Sequence, residues 1–153
     1  MKAFFLTVLL FIGSSQIFAG KPPEVVAKAL KQKFPSAINI TWIREDSYHW
    51  KSNFTIKNRK LSASFDSDGH WYLSQMEITF AELRIDEVRS AIKKDYPSCT
   101  IVSIIINERQ FGTFYDVKVK CGNTISYDTY DGNGMHLPKI TQLLKSDCQE
   151  LFG

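Results

Sequence analysis

Two short acidic stretches carry the most suggestive chemistry in the chain. Asp66-Ser67-Asp68-Gly69 sets two carboxylates two residues apart on a glycine turn, and Asp131-Gly132-Asn133-Gly134, preceded by Asp128, is a second version of it. Such a pair can face one cation. Calcium takes about 6–8 oxygen ligands, and a full helix-loop-helix calcium loop continues with a third acid and a distal bidentate Glu. Here His70 and Trp71 follow instead. The same residue types also build a tight hairpin, Asp through a side-chain bond to the turn backbone and Gly through positive φ. The sequence leaves both readings open: a turn, or calcium held by Asp66 and Asp68 in one stretch and by Asp131 and Asn133 in the other.

The remaining reactive side chains form no catalytic constellation. His49, His70 and His136 are far apart and lack metal-ligand spacing such as two His four apart on a helix. Cys99, Cys121 and Cys148 are an odd number. A hairpin folded about Gln110-Phe111-Gly112 brings Cys99 near Cys121, while Cys148 sits on an apolar stripe, so either Cys99–Cys121 or Cys121–Cys148 could be bridged. A cysteine nucleophile needs a paired base, and no such pattern is visible. The chain is therefore expected not to be an enzyme. Aromatic and polar residues near hairpin ends and on one strand face, Tyr48, His49, Lys51, Asn53, Trp71, Tyr72 and Phe111, are the candidates for gripping a partner, because exposed aromatics make good binding anchors.

The chain has 153 residues and a formal charge of +3, with basic and acidic residues mixed along it. That pattern carries no nucleic-acid footprint. Residues 1–19 read as a secretory signal peptide: Lys2, an apolar core from Ala3 to Ile12, and a small-residue site ending at Ala19. The core is shorter than the roughly 20 residues that cross a bilayer. Export is expected, with no stable membrane insertion.

The elements that position these residues occur twice. Phe34-Pro35-Ser36 recurs as Tyr96-Pro97-Ser98, and a helix-period segment precedes each. Val26, Leu30 and Phe34 form one stripe, and Val88, Ile92 and Tyr96 the other. After each proline comes strand-type alternation: Ile38 to Trp42, Tyr48 to Ile56 and Leu61 to Phe65, with His70 to Phe80 as a fourth strand, then Ile101 to Ile106, Tyr115 to Cys121 and Ile125 to Tyr130. Past Pro138, Ile140, Leu143, Leu144, Cys148 and Leu151 line one face of an expected helix, whereas equivalence with the first unit would make part of the segment a strand.

The predicted organisation is a first repeat over 20–81, a second over 82–138, and a C-terminal helix over 139–153 packed on the second. The fold class is α+β: tandem α-β-β-β(-β) units whose antiparallel meander sheets are covered by helices on one face. The other face would be wet, lined by Asn39, Thr41, His49, Lys51, Asn53, Thr55, Ser62 and Ser64, and by Asp116, Lys118, Lys120, Ser126 and Asp128.

This arrangement resembles the exported PepSY-like family, also called β-lactamase-inhibitor-like. The resemblance runs from Pro23 to about Leu137. It is carried by Val26, Ala29, Leu30, Phe34-Pro35, Trp42, Tyr48, Phe54, Phe65-Asp66, Asp68-Gly69 and Trp71, and by Val88, Ile92, Tyr96-Pro97, Tyr115, Val117, Tyr130-Asp131 and Gly134. These are core and turn positions. The resemblance implies a periplasmic, non-enzymatic bacterial protein similar to the β-lactamase inhibitor protein, whose sheet surface grips a protein or peptide partner. It implies no cofactor apart from calcium, which has been linked to some members, and it transfers no catalytic residues.

Overall fold

The computed structural model describes residues 20–137. The expected signal peptide and C-terminal helix, with Cys148, lie outside the described residues.

Helix α1 spans Glu24–Lys33 and α2 spans Asp86–Asp95. Each has acids in its first turn and lysines in its last, which complements the helix dipole. Each buries one pair of side chains four residues apart, Val26 and Leu30 or Val88 and Ile92. Their C-caps are Phe34 and Tyr96. The proline after each cap disfavours helical backbone at the residue before it, so both helices end there.

Eight strands follow in chain order: β1 Ile38–Arg44, β2 His49–Ile56, β3 Arg59–Asp66, β4 Trp71–Ile78, β5 Thr100–Arg109, β6 Gly112–Cys121, β7 Thr124–Asp131 and β8 His136–Leu137. A 3-10 turn, Phe80–Glu82, links β4 to α2. Its start is closed by a capping box in which the Thr79 backbone N–H and hydroxyl donate to Glu82 at 2.8 and 2.9 Å.

The strands form one antiparallel sheet in the order β1-β2-β3-β4-β5-β6-β7-β8. Separate sheets, one per unit, do not occur. β4 and β5 pair from Leu73↔Arg109 to Ile78↔Ile104, which joins the halves and satisfies two edges that would otherwise expose unpaired N–H and C=O groups. The second half also has a short fourth strand, β8, in which His136 and Leu137 pair with Tyr130 and Thr129.

Both helices lie on one face, over two adjoining cores. α1 covers Trp50, Phe54, Ala63 and Phe65. α2 covers Ile104, Tyr115, Val117, Val119 and Tyr130, with Ile78 and Leu83 at the junction of the halves. Among the described residues no helix is long and apolar enough to cross a membrane.

Candidate functional site

Strand alternation assigns the face opposite the helices. On β6 the buried Tyr115, Val117 and Val119 point to the helices, so Phe114, Asp116, Lys118 and Lys120 point away. Carrying this through the register places Lys51, Asn53 and Thr55 of β2, Ser62 and Ser64 of β3, Gln75 and Glu77 of β4, Asn107 and Arg109 of β5, and Thr129 of β7 on the same open face.

A chain of side-chain hydrogen bonds crosses this face. Lys51 Nζ donates to Gln75 Oε1 at 3.1 Å and Gln75 Nε2 donates to Asn107 Oδ1 at 2.9 Å. Asn107 Nδ2 then donates to Asp116 Oδ2 at 2.8 Å, and Thr129 Oγ1 donates to Asp116 Oδ1 at 2.7 Å. The ladder runs from β2 to β7, with Ser62 as a weaker branch onto Gln75 at 3.5 Å. Asn107 is only 4 % exposed, yet both ends of its amide are bonded, so its burial carries no unsatisfied group. A fixed polar ladder presents donors and acceptors whose rotamers are already set, which lowers the ordering cost of binding.

Two depressions flank the ladder. One of about 420 Å³ lies in the first half, lined by Thr41, Asn53, Lys60, Gln75, Glu77 and Ile105 among others. The second, about 300 Å³, lies in the second half over Asn107 and Asp116, and its walls include Arg109, Phe111, Phe114 and Leu137. Phe111 is 77 % exposed at the β5–β6 turn and meets Phe114 edge-on at 5.7 Å.

The candidate partner residues separate into groups. Lys51 and Asn53 stand on the open face, and Phe111 on its rim. Tyr48, His49 and Tyr72 form a ring cluster at the β1–β2 end, with centroids 5.5 and 5.6 Å from the His49 ring. Trp71 is placed differently from the sequence reading: it packs on the helix-side core, with Lys33 Nζ 3.5 Å above its ring. The irregularity between Ser64 and Phe65 makes Trp71, rather than Tyr72, oppose Phe65, which turns the indole inward.

The electrostatics of that rim are local. His49 Nδ1 lies 2.7 Å from Asp46, and the Tyr48 and His49 backbone N–H groups donate to the same carboxylate. The His49 side-chain bond, with these backbone bonds, holds Asp46 down at about 2. The bond from Tyr48 to Asp68 pushes the Tyr48 phenol up to about 12.

The acidic turns are built alike. Asp66 Oδ1 accepts from the backbone N–H groups of Asp68 and His70 at 3.0 and 2.9 Å, and Asp131 Oδ1 accepts from Asn133 and Met135, both at 2.9 Å. Gly69 and Gly134 follow at φ +88 and +78, pressed on the first turns of α1 and α2. A Cβ there would sit 3.1 Å from Val25 O or 2.6 Å from Glu87 O. Glycine is thus required both by conformation and by close approach. Burial draws the Asp66 carboxyl up, but bonds from the His70 backbone and ring outweigh it and leave it below the usual range.

The ligand atoms of Asp66, Asp68 and His70 lie within 4.8 Å of one another. Each also has a partner within the protein: His70 on Asp66 Oδ2 at 2.9 Å, and Tyr48 on Asp68. In the second turn Asp131 and Asn133 have no histidine beside them, since Met135 occupies that place. His136 instead reaches Asp128 at 3.2 Å. Cys99 and Cys121 form a disulfide across the β5–β6 pair, with Cα atoms 4.7 Å apart.

Sequence reasoning named neither Gln75 nor Asn107, the centre of the ladder. Their signal was present: Asn107 ends the apolar run of β5, in register with Gln75 of the neighbouring strand. Only the β4–β5 pairing makes them partners.

No protein-family model and no curated protein sequence matches the chain. Solved structures do. A BLIP-like protein from Bacteroides fragilis superposes with a TM-score of 0.68 at 20% identity, covering 77% of this chain and 84% of that one. A DUF2874 family protein from Bacteroides ovatus gives 0.69 at 19% identity, with 78% and 86% covered. A structure from Bacteroides eggerthii, provisionally described as periplasmic, gives 0.69 at 19% identity, with 78% and 88% covered. At this identity the likeness establishes the fold: an eight-stranded antiparallel meander with two helices, as in these BLIP-like and periplasmic proteins.

Proposed function

We propose that the chain is an exported, periplasmic, non-enzymatic binding module, inhibitory in kind, that engages a protein or peptide partner through its open sheet face. The observation that carries this reading is the ladder from Lys51 to Thr129, a set of fixed hydrogen-bonding groups between two depressions on the face the helices leave uncovered. The BLIP-like description of one structural neighbour and the periplasmic description of another support it, as does the PepSY-like pattern of core and turn residues. On the same reading the two halves are copies of one α-β-β-β-β unit, and residues 1–19 are removed on export. A stable complex would bury on the order of 1,200–2,000 Å².

The test is photo-crosslinking in the native envelope from Asn53 and Phe111, with exposed Lys28 on α1 as the control position. Capture of the same partner from both open-face positions and not from Lys28 is the expected result. Equal capture from all three, or none, overturns the reading.

A second reading rests on the approach of the Asp66 and Asp68 carboxylates, with Asp131 and Asn133 in the matching turn: a calcium-responsive sensor or envelope-stress protein. It is tested by thermal melting in calcium, where ligand at 100 times its dissociation constant adds about 2.7 kcal/mol. An unchanged Tm in millimolar calcium removes it.

A further inference from the structure

Among the described residues the Lys and Arg ion pairs lie on the helix side, although Lys28, Lys31, Lys93 and Lys94 of the two helices stand there without one. On the helix side, Lys33 pairs with Glu108 at 3.4 Å and Arg59 with Glu82 at 2.6 Å. Arg44 and Arg89 lie over the rings of Trp50 and Phe80. On the open face, register places Lys51, Lys60, Arg109, Lys118 and Lys120, and none of these five forms an ion pair among the described residues. Lys51 donates to the neutral Gln75, and Lys118 lies 5.7 Å from the ring of Tyr127. The acids on this face offset them only in part, with Glu77 beside Lys60 in the same depression. Asp116 is bonded inward by Asn107 and Thr129, Asp66 and Asp131 cap turns at the strand ends, and Glu77 alone stands exposed in mid-strand.

Three of these five bases lie toward one end of the strands, and Lys51 and Arg109 toward the other. Lys60, Lys118 and Lys120 stand near the β2–β3 and β6–β7 turns, and beside the latter two are the exposed apolar side chains Ile125 and Tyr127. Cations with an aromatic and an aliphatic neighbour suit a surface of opposite charge that also carries apolar side chains.

We propose that the open face recognises an acidic polypeptide surface, docked with its carboxylates over Lys60, Lys118 and Lys120 and its apolar side chains against Tyr127 and Ile125. This rests on the binding reading above and adds the partner's chemistry to it. Complementary charge of this kind acts chiefly on the rate of encounter and on rejection of wrong partners, and it is screened by salt. An anionic bilayer is the less suited occupant. Juxtamembrane bases contribute about 1 kcal/mol each, and three lysines beside a bonded amide ladder make a small anchor for a flat surface.

The test uses a fluorescent peptide of alternating Glu and Leu, its Lys and Leu counterpart, and vesicles of phosphatidylglycerol with phosphatidylethanolamine. The acidic peptide is expected to bind, more weakly as salt rises, and the basic peptide not to. The triple variant Lys60→Glu, Lys118→Glu, Lys120→Glu should lose about tenfold or more in association rate. The helix-side variant Lys28→Glu, Lys31→Glu, Lys94→Glu, with the same change in net charge, should keep the rate within about twofold. Should the first variant fail to fold, the contrast between the two peptides and the salt dependence of the unmodified protein decide. Equal binding of both peptides, or equal loss in both variants, overturns the proposal. So does binding of vesicles without binding of the acidic peptide. If crosslinks from Asn53 and Phe111 still capture a partner while the acidic peptide is not bound, the partner chemistry is wrong and the binding reading stands. If crosslinking fails too, both fall.

Discussion

Where the third strand of each half passes under the end of its helix, the two halves solve the same packing problem with opposite chemistry. In the first half Ala63 and Phe65 lie buried beneath α1, Phe34 meets Phe54 at 4.9 Å, and Lys33 caps the ring of Trp71. In the second half the matching places hold Asp128, Tyr130, Tyr96, Asp95 and His136. The Tyr130 hydroxyl donates to Asp95 at 2.8 Å, Tyr96 bonds Asp128, and His136 lies 3.2 Å from Asp128. Backbone register and turn geometry coincide, so the fold tolerates either an aromatic or a hydrogen-bonded filling, provided every buried polar group has a partner. At the opposite end of the strands, Ala37 and Ile56 pack onto the first core where Cys99 and Cys121 are bridged in the second.

Crossing the chemistries should cost most. Ala63→Asp puts a carboxylate at a place 1 % exposed, where the neighbouring Ser52 and Ser74 hydroxyls are already bonded to Ala63 O and Trp71 Nε1 and Phe34 stands where Tyr96 serves Asp128. An uncompensated buried charge of this kind costs about 3–5 kcal/mol, and chemical denaturation should show the loss. A fall below about 1 kcal/mol would mean that the first half already has the room and polarity of the second.

Next come the turns. Gly134→Ala meets Glu87 backbone at 2.6 Å as well as positive φ, and should cost on the order of 3 kcal/mol. Gly69→Ala, with 3.1 Å to Val25, should cost about 1–2 kcal/mol. The reverse order would show that the second hairpin shifts off its helix more easily than the first.

The double change Cys99→Ala, Cys121→Ala removes a link of sequence separation 22 and should cost about 2–3 kcal/mol. The same urea curves measure it. No change would place the cysteines with Ala37 and Ile56 as mere filling.

Tyr130→Phe should cost about 1 kcal/mol, one hydrogen bond's net value, and it has a pH signature. Burial first, then the bond to Asp95, pushes the Tyr130 phenol up; burial and Asp128 push Tyr96 up to about 12. A raised pKa contributes stability that is whole below the unfolded value of about 10 and is lost as pH rises through the folded value. Wild-type stability should therefore fall above about pH 10, and less steeply in the Tyr130→Phe variant. Ultraviolet titration of tyrosinate should show these phenols ionising late. In the first half Phe34 and Phe65 stand in those places and do not titrate, and the raised phenols there, Tyr48 and Tyr72, lie at the rim instead.

Much of the framework was legible in the chain. The stripes Val26–Leu30 and Val88–Ile92, the prolines after Phe34 and Tyr96, and the glycines of the acidic turns each act over a few residues, so they can be read locally. The candidate site was legible only in part. Lys51, Asn53 and Asp116 followed from alternation, whereas Trp71 changed face because of a one-residue irregularity in β3–β4 pairing. Gln75 and Asn107 were invisible as partners because 31 residues, including a helix, separate Gln75 from Asn107 in the chain.

The sequence by itself determined the two helices, the first seven strands and the hairpin turns between them, since periodicity, proline and glycine act through local backbone geometry. The tertiary structure alone decided that β4 and β5 merge the halves into one sheet, that a polar ladder crosses its uncovered face, and that Lys60, Lys118 and Lys120 come to one end of that face. Those outcomes depend on strand order and register, which are set by pairing across distance and by the need to satisfy every buried polar group.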